Sequence, residues 1–414
     1  MTKITDIPAI RFKGFSDTWE QRKLSEIATM HARIGWQNLR TSEFLDSGDY
    51  MLITGTDFID GAVNFDTCHY VERERYEQDK HIQIRNGSIL ITKDGTLGKV
   101  AYIQGLTMPA TLNAGVFNVE IKDENEVDNR YLFQYLKAPF LMDYVDKKAT
   151  GGTIKHLNQN ILVDFPVVLP HKAEQEKIGE YFLAIDHLIT LHQRKYDKLT
   201  NVKKSMLEKM FPQNGSNVPE IRFKGFTEAW EQRKVGDLLI ERNQQAPMSD
   251  EYPLMAFIAN EGVAPKGDRY DRSALVTDTA NKLYKKTEIG DFIYSSNNLE
   301  TGSIGLNKYG KACISPVYSI FEPTGIADSD FLGRRLVRKD FINAMVKWRQ
   351  GVIYGQWRIH ESDFLKIEIP VPSVVEQRKI GAYLDQLDRL ITLHQRELEK
   401  LKNLKKACLE KIFV

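Results

Sequence analysis

A segment of 38 residues occurs twice in this chain and constrains its fold more than any other feature. The first copy runs from Glu174 to Phe211 and the second from Glu376 to Phe413, and about 23 of the 38 paired positions are identical. Neither copy contains proline, and both are rich in Leu, Lys and Glu. An unbroken segment of this composition predicts a helix of about ten turns.

Apolar side chains recur in both copies at the spacing of a coiled-coil seam. The first copy has the heptad series Ile178, Ile185, Leu199 and Met206, with Tyr181, Leu188 and Val202 three positions later. The second has Ile380, Leu387, Leu401 and Cys408, with Tyr383, Leu390 and Leu404. This pattern predicts that each helix pairs with a helical partner, most simply the other copy in antiparallel register. We interpret His192 and His394, which fall on the same series, as packed seam residues and not as a pH switch.

A second repeat opens each half of the chain, as Ile7–Leu24 and Val218–Val235. Between each opening motif and each long helix lies a body, about 25–170 and 236–372, and the two bodies are barely alike. Both contain short β-type runs, helical stretches and a final proline-marked extended run. Examples are Tyr50–Gly61, Gly87–Ile103, Asn129–Val145 and Phe165–Pro170, then Gly290–Leu306, Asp328–Gln350 and Ile367–Pro372. The sequence therefore predicts an α+β fold in which one repeated scaffold carries two different heads.

Length and composition set wider limits. The 414 residues predict two to three domains, and a net charge of +1 indicates no whole-chain basic field for nucleic acid. The three cysteines are far apart and lack metal-ligand spacing, as is typical of reduced thiols in a cytosolic protein. There is no apolar leader at the N-terminus and no run of about 20 apolar residues. We therefore expect a cytoplasmic protein without membrane association.

Motifs of enzymatic catalysis are missing from the sequence. Gly95–Lys99 has the wrong spacing for a phosphate-binding loop, and the sequence contains neither H-E-x-x-H nor paired C-x-x-C. No Asn-Pro-Pro-aromatic motif of amino-methyltransferases is present either. These absences favour a non-catalytic protein with no cofactor or metal of its own, although a scattered active site would leave no such motif.

Polar, glycine-bearing loops in both bodies carry side chains suited to DNA. Arg and Lys can bond guanine edges, Asn and Gln adenine edges, and Ser and Thr phosphates. The candidate DNA-binding residues of the first body are Arg33, Trp36, Gln37, Asn38, Lys93, Thr96, Thr153, Lys155 and His156. Those of the second are Arg242, Asn243, Gln244, Ser296, Asn297, Asn298, Tyr354, Gln356 and Arg358. Any of these loops could also be an ordinary surface turn, and the lysines late in each long helix fit a solvated face.

The doubled motifs resemble specificity subunits of type I restriction–modification systems. The resemblance rests on Trp19–Lys23 and Trp230–Lys234, which both read WEQRK, and on the E-Q-x-K-I segments Glu174–Ile178 and Glu376–Ile380. It extends through the L-I-T-L-H-Q-R sequences and covers nearly the whole chain.

The resemblance implies two mixed α/β target recognition domains, separated by two long helices that form an antiparallel coiled coil with an internal pseudo-two-fold repeat. The implied domains are residues 1–170, spacer helix 171–212, residues 213–372 and spacer helix 373–414. Each recognition domain would read one half of a bipartite, asymmetric site in double-stranded DNA, and the helices would set the gap.

The same resemblance implies a chain without catalysis of its own, which recruits two methyltransferase subunits and the restriction subunits. S-adenosylmethionine, ATP and Mg²⁺ would then be used by those partner subunits. The six aromatic residues of the opening motifs are expected either to contact the methyltransferase or to pack onto helix ends; these are Phe12, Phe15, Trp19, Phe223, Phe226 and Trp230. A structural coiled-coil adaptor without sequence-specific DNA binding is the alternative function.

Overall fold

The computed structural model of the chain describes residues 2–3, 8–35, 38–148, 157–213, 215–265, 282–351 and 357–413. The chain divides into two compact units. Unit 1 contains residues 1–194 together with 395–414, and unit 2 contains residues 195–394. Each long helix therefore contributes residues to both units.

Unit 1 consists of short strands and helices. Its strands are β1 (Thr2–Lys3), β2 (Glu20–Lys23), β3 (Ala28–His31), β4 (Met51–Ile53), β5 (Phe58–Ile59), β6 (Ala62–Val63), β7 (His69–Tyr70), β8 (Gln83–Ile84), β9 (Ile89–Thr92), β10 (Val100–Tyr102), β11 (Ala110–Leu112), β12 (Val116–Ile121) and β13 (Pro166–Leu169). Its short helices are α1 (Leu24–Ile27), α2 (Arg73–Glu77), α3 (Asn129–Lys137), α4 (Phe140–Lys148) and α5 (Gln159–Val163). The long helix α6 (Lys172–Lys209) begins in this unit.

Two four-stranded sheets form the body of unit 1. One has the order β10-β9-β12-β3 and is antiparallel throughout, whereas the other, β7-β4-β11-β8, contains the parallel pair β4 and β11. Strand β9 reads Ile-Leu-Ile-Thr with every residue buried, because its two faces contribute to two apolar clusters. The helices α3 and α4 are separated at Ala138 and Pro139, since proline disfavours helical backbone at the residue before it.

Unit 2 repeats much of this arrangement. Its strands are β14 (Glu231–Lys234), β15 (Leu239–Glu241), β16 (Gln245–Ala246), β17 (Ala256–Ile258), β18 (Gly262–Ala264), β19 (Tyr284–Thr287), β20 (Phe292–Tyr294), β21 (Ile304–Leu306), β22 (Ala312–Ile314), β23 (Ser319–Pro323), β24 (Gln350–Gly351), β25 (Trp357–Arg358) and β26 (Glu368–Val371). Its short helices are α7 (Val235–Leu238), α8 (Ser329–Leu336), α9 (Lys339–Val346) and α10 (Glu361–Phe364), and the long helix α11 (Val374–Ile412) begins here.

The main sheets of the two units have the same order along the chain. The order β21-β20-β23-β15 in unit 2 corresponds to β10-β9-β12-β3 in unit 1, and both sheets are antiparallel. In both units the last body strand pairs with the W-E-Q-R-K segment, as β13 with β2 and β26 with β14. Two bodies with little sequence similarity therefore share a sheet topology, and the α+β prediction is confirmed.

Both long helices have the predicted length, with 38 residues in α6 and 39 in α11. Ile178 and Ile185 are buried as predicted, and so are Ile380 and Leu387. Leu188 and Leu404, also predicted on the seam, are instead 41% and 46% exposed. The seam prediction is therefore wrong at these two positions; next to Leu404 it is Lys405 that is buried, because it pairs with Asp186.

No helix within the described ranges is long and apolar enough to cross a membrane. All three cysteines are free thiols and buried, and burial raises the pKa of Cys68 to about 12.

Candidate nucleic-acid interface

A glutamine at the start of each long helix fixes the body to the scaffold. In unit 1 the Gln175 side chain accepts a hydrogen bond from the Asp128 N–H at 3.0 Å and donates to the Pro170 carbonyl at 2.9 Å. In unit 2 Gln377 accepts from the Asp328 N–H and donates to the Pro372 carbonyl, both at 2.8 Å. Each aspartate also caps the following helix, α3 or α8. The repeated Gln of the E-Q-x-K-I motif therefore sets the orientation of one body helix in each unit.

Aromatic residues complete the same junction. In unit 1 the Trp19 ring meets Tyr131 edge-on with centroids 6.5 Å apart, and in unit 2 Trp230 meets Phe331 at 5.7 Å. Both tryptophans are only 2% exposed. Of the two roles expected for the opening-motif aromatics, these two residues therefore take the packing role.

In unit 2 a loop and a β-ribbon bring several candidate residues together. The ribbon consists of β24 and β25, and the loop is the segment 295–303 between β20 and β21. The Asn297 side chain accepts a hydrogen bond from the Trp357 N–H at 2.6 Å, and the Ser296 hydroxyl accepts one from the Ile359 N–H at 3.1 Å. Asn297, Asn298 and Arg358 are exposed, and Ser296 is half-buried.

Arg349 holds this loop against the ribbon. Its guanidinium forms a bidentate ion pair with Glu300, at 2.7 and 2.6 Å, and its Nε donates to the Ser296 carbonyl at 3.1 Å. Arg358 lies 3.7 Å from Glu361 in a looser ion pair and keeps over half of its side chain exposed. Arg349 is thus committed to positioning the loop, whereas Arg358 is available at the surface.

The loop after β9 occupies the corresponding place in unit 1. The Lys93 carbonyl accepts a hydrogen bond from the Leu157 N–H at 2.8 Å, and the Thr96 carbonyl accepts one from the Thr92 hydroxyl. Lys93 is half-buried with its ammonium 5.5 Å from the Phe117 ring centroid, and Thr96 is exposed. In both units the loop after the central strand is therefore tied to the segment preceding the last short helix.

Two of the predicted arginines point into the protein. Arg33 is 2% exposed and donates to the Leu112 carbonyl at 3.0 Å and to Gln78 at 3.1 Å. Burial lowers the pKa of this guanidinium from its usual value, and the neighbouring charge of Arg75 lowers it further. Arg242 lies 2.9 Å from Asp291 and 2.6 Å from Glu322. Hydrogen bonds within the protein hold the Arg33 guanidinium, and two ion pairs within the protein hold that of Arg242.

The remaining candidates lie apart from these loops or outside the described residues. Asn38, Asn243 and Gln244 are exposed on the segments that follow β3 and β15. Those outside the described residues are Trp36, Gln37, Thr153, Lys155, His156, Tyr354 and Gln356.

Comparison with known proteins identifies the family. The family model for the "Type I restriction modification DNA specificity domain" matches residues 16–201 and 227–403. The chain belongs to the type I restriction–modification specificity subunits. Its two matched segments correspond to the two repeats found in the sequence.

Sequence similarity to relatives in this family extends over most of the chain. The type I restriction enzyme MjaVIII specificity subunit of Methanocaldococcus jannaschii is 25% identical over 360 residues, 79% of this chain and 78% of the relative. The MjaIX specificity subunit of the same organism is 21% identical over 414 residues, 95% of this chain and 92% of the relative. The crystal structure of a type I restriction-modification system S subunit from M. genitalium superposes with a TM-score of 0.60 at 15% identity. That superposition covers 98% of this chain and 99% of the other, and it supports the fold.

Trp357 is not among the candidate residues that the sequence predicts, yet the structure places it beside one of them. Its side chain is 50% exposed on β25, beside Arg358. A large aromatic side chain left half exposed on a polar ribbon is a signal that only the structure supplies, because the sequence alone does not reveal its exposure.

Proposed function

We propose that this specificity subunit reads a bipartite, asymmetric site in double-stranded DNA, with one target recognition domain for each half. The observation that carries the proposal is the contrast between scaffold and loops. Both units repeat the Gln–Asp junction and the sheet order, yet their equivalent loops present Lys93 and Thr96 in one and Asn297 and Asn298 in the other. In unit 2 the ribbon beside this loop adds Arg358. A shared frame with different hydrogen-bond donors and acceptors suits two different half-sites.

The side chains on these loops and on the ribbon have the chemistry that base and phosphate contacts need. Arg358 and Lys93 would supply positive charge, Asn297 and Asn298 amide groups, and Trp357 a face for stacking or apolar contact. Ser296 and Asn297 use side-chain oxygens to hold the ribbon, so we assign them first to positioning. Arg33 and Arg242 would act through protein contacts that fix the segments carrying Asn38, Asn243 and Gln244.

The two long helices are proposed to pair as an antiparallel coiled coil that sets the gap between the half-sites. In unit 1 Lys405, late in α11, lies 2.6 Å from Asp186, early in α6. In unit 2 the positions are exchanged, and Lys203, late in α6, forms an ion pair with Asp388, early in α11. Contacts of this kind within each unit support an antiparallel arrangement. Helices of 38 and 39 residues are about 57 Å long, enough for heads on separate turns of DNA.

We further propose that the chain has no catalytic activity and works in the cytoplasm as part of a larger complex. Two methyltransferase subunits and the restriction subunits would bind it and use S-adenosylmethionine, ATP and Mg²⁺. The domain bounds proposed for this assembly are residues 1–170 and 213–372 for the recognition domains, with spacer helices at 171–212 and 373–414.

Methylation mapping tests the proposal. The chain is co-expressed with its methyltransferase subunit in a host that lacks adenine methylation, and the genome is sequenced for N6-methyladenine. A motif with two dissimilar halves around a fixed gap is the expected result. If the complex assembles and produces no new methylation, the chain is better described as a coiled-coil adaptor without sequence-specific binding.

A further inference from the structure

Two residues of a possible metal site lie on neighbouring strands in unit 1. Strand β3 pairs with β12 so that His31 is opposite Asn118 and Thr29 is opposite Glu120. Side chains alternate along a strand, so these four residues share one face of the sheet. The Nε2 atom of His31 lies 3.9 Å from Oε2 of Glu120 and 3.1 Å from the Thr29 hydroxyl.

A third residue, His81, is brought to this face by a single turn of 3₁₀ helix at Lys80–Ile82. The carbonyl of His81 accepts a hydrogen bond from the Asn118 side chain at 3.0 Å, and its N–H donates to the Asp79 carboxylate at 2.9 Å. The two imidazole rings stack with their centroids 4.5 Å apart and an interplanar angle of 19°. Asn118 therefore holds the turn above the sheet and places His81 beside His31.

The resulting donor set suits a divalent transition metal. One ligand atom from each of His31, His81 and Glu120 lies within 4.8 Å of the other two. A metal bound at about 2.0–2.2 Å to each needs these atoms roughly 3.3 Å apart, so the side chains must close by at most about 1.5 Å. His81 and Glu120 are exposed and can rotate to do so. Two imidazoles and one carboxylate favour Zn²⁺, Co²⁺ or Ni²⁺ over the hard cations Mg²⁺ and Ca²⁺.

The surroundings leave room for further ligands. His81 and Glu120 line a polar cavity of about 680 Å³, and Asn86 and Glu124 line it as well. Three protein ligands with a solvent-facing opening leave positions for water or a small anion. In the described part of unit 2 no comparable group of His, Cys and carboxylate residues occurs.

We propose that His31, His81 and Glu120 bind one divalent transition-metal ion of the Zn²⁺ class. The ion joins β3, β12 and the 3₁₀ turn, and so fixes the end of β3. His31 is the last residue of that strand, two positions before Arg33 and the candidate segment that continues to Asn38. Metal binding would thereby stabilise β3, which is the edge strand of the main sheet in the first recognition domain and has β12 as its single neighbour.

Metal titration of the full chain, without an affinity tag, tests the site. The protein is treated with a chelator and titrated with Zn²⁺ by calorimetry and with Co²⁺ by visible absorption. We expect saturation at one equivalent, and His31→Gln or His81→Gln should weaken binding about tenfold or more. His187→Gln, which changes an exposed histidine of α6, is the matched control and should bind as the unchanged chain does. Equal binding by His31→Gln and the control, or a thiolate-to-cobalt charge-transfer band, overturns the proposal.

A second measurement needs no substitution and so does not depend on the folding of a variant. Nuclear magnetic resonance signals of the histidine rings are recorded before and after one equivalent of Zn²⁺. The signals of His31 and His81 should shift together while that of His187 stays in place. Shifts spread evenly over all histidines, or none at His31 and His81, contradict a defined site.

Discussion

The guanidinium of Arg11 forms a bidentate ion pair with Glu174, with Nε to Oε1 at 2.9 Å and Nη2 to Oε2 at 2.7 Å. The Glu174 side chain is 1% exposed. The same pair recurs in unit 2 between Arg222 and Glu376, with both distances 2.7 Å. Each opening motif is therefore fastened to the first turn of a long helix by a buried ion pair, which explains why Arg and Glu occur in both copies.

Replacing Arg11 with methionine should destabilise the protein strongly. The substitution leaves Glu174 buried without its partner, and losing one member of a buried pair costs about 3–5 kcal/mol. Urea denaturation of Arg11→Met gives the change in the free energy of unfolding. The free energy of unfolding of Arg11→Lys should lie between those of the unchanged chain and Arg11→Met, because lysine keeps the charge but cannot form the bidentate pair.

Lys13→Met is the matched control, since Lys13 is an exposed cation in the same opening motif. It should change the free energy of unfolding by less than about 0.5 kcal/mol. The double variant Arg11→Met with Glu174→Met should recover much of the lost stability, because no charge is then left buried. A loss in Arg11→Met no larger than in Lys13→Met would contradict the role assigned to the pair.

A pH-dependent contribution to stability is expected from Lys405. Its ammonium lies near both Asp186 and Lys137, and burial lowers the pKa of Lys405 to about 8 from its usual value of 10.5. Between about pH 8 and 10.5 the unfolded chain then binds more protons than the folded chain. The free energy of unfolding should therefore rise with pH across this range, and this gain from Lys405 should be absent below about pH 8. The expected size is about 1–3 kcal/mol.

The measurement compares the unchanged chain with Lys405→Met by urea denaturation from about pH 7 to about pH 10. The free energy of unfolding of the unchanged chain should increase relative to that of Lys405→Met as pH rises. Lys406→Met changes the exposed neighbouring lysine and should give a difference that is flat with pH. A flat difference for Lys405→Met as well would show that burial does not perturb this lysine.

The scaffold was predictable from the sequence because it is repeated. Two copies of a proline-free helical segment and two W-E-Q-R-K motifs indicated the long helices, and the structure confirms their length. The role of Gln175 was not predictable, since its partners Asp128 and Pro170 meet only in the folded chain. The partial exposure of Leu188 also depends on packing that a strict heptad pattern does not describe.

The candidate site was less predictable than the scaffold. Residue type alone placed Arg33 and Arg358 in the same class of candidate, and the structure separates the buried Arg33 from the exposed Arg358. An arginine in a polar loop can serve the protein or a ligand equally well, and only its partners distinguish the two cases. The convergence of Asn297 with Trp357 likewise joins segments 60 residues apart.

Substitutions in the two units should affect different halves of the recognised site. Arg358→Ala is expected to alter recognition of one half, and Lys93→Ala recognition of the other. A lost base contact costs about 1–3 kcal/mol at one position, whereas a lost phosphate contact weakens binding to all sequences and reduces the salt slope by about 1. Binding of the methyltransferase complex to oligonucleotides with single-base changes distinguishes these outcomes.

Arg389→Ala removes an exposed arginine from α11 and is the charge-matched control for both variants. It should leave the discrimination between bases in both half-sites unchanged. If Arg358→Ala and Lys93→Ala bind every oligonucleotide as the unchanged complex does, the two loops do not contact DNA.

Lengthening both long helices should widen the gap of the recognised site without changing its halves. A seven-residue insertion after Arg194 and another after Arg396 preserve the heptad pattern and add about 10 Å of helix. Since DNA rises about 3.4 Å per base pair, methylation mapping should find the same two half-sites about three base pairs further apart. Insertion into α6 alone leaves the helices unequal and should abolish methylation instead. An unchanged gap, or new bases within either half-site, would mean that the helices do not act as the spacer.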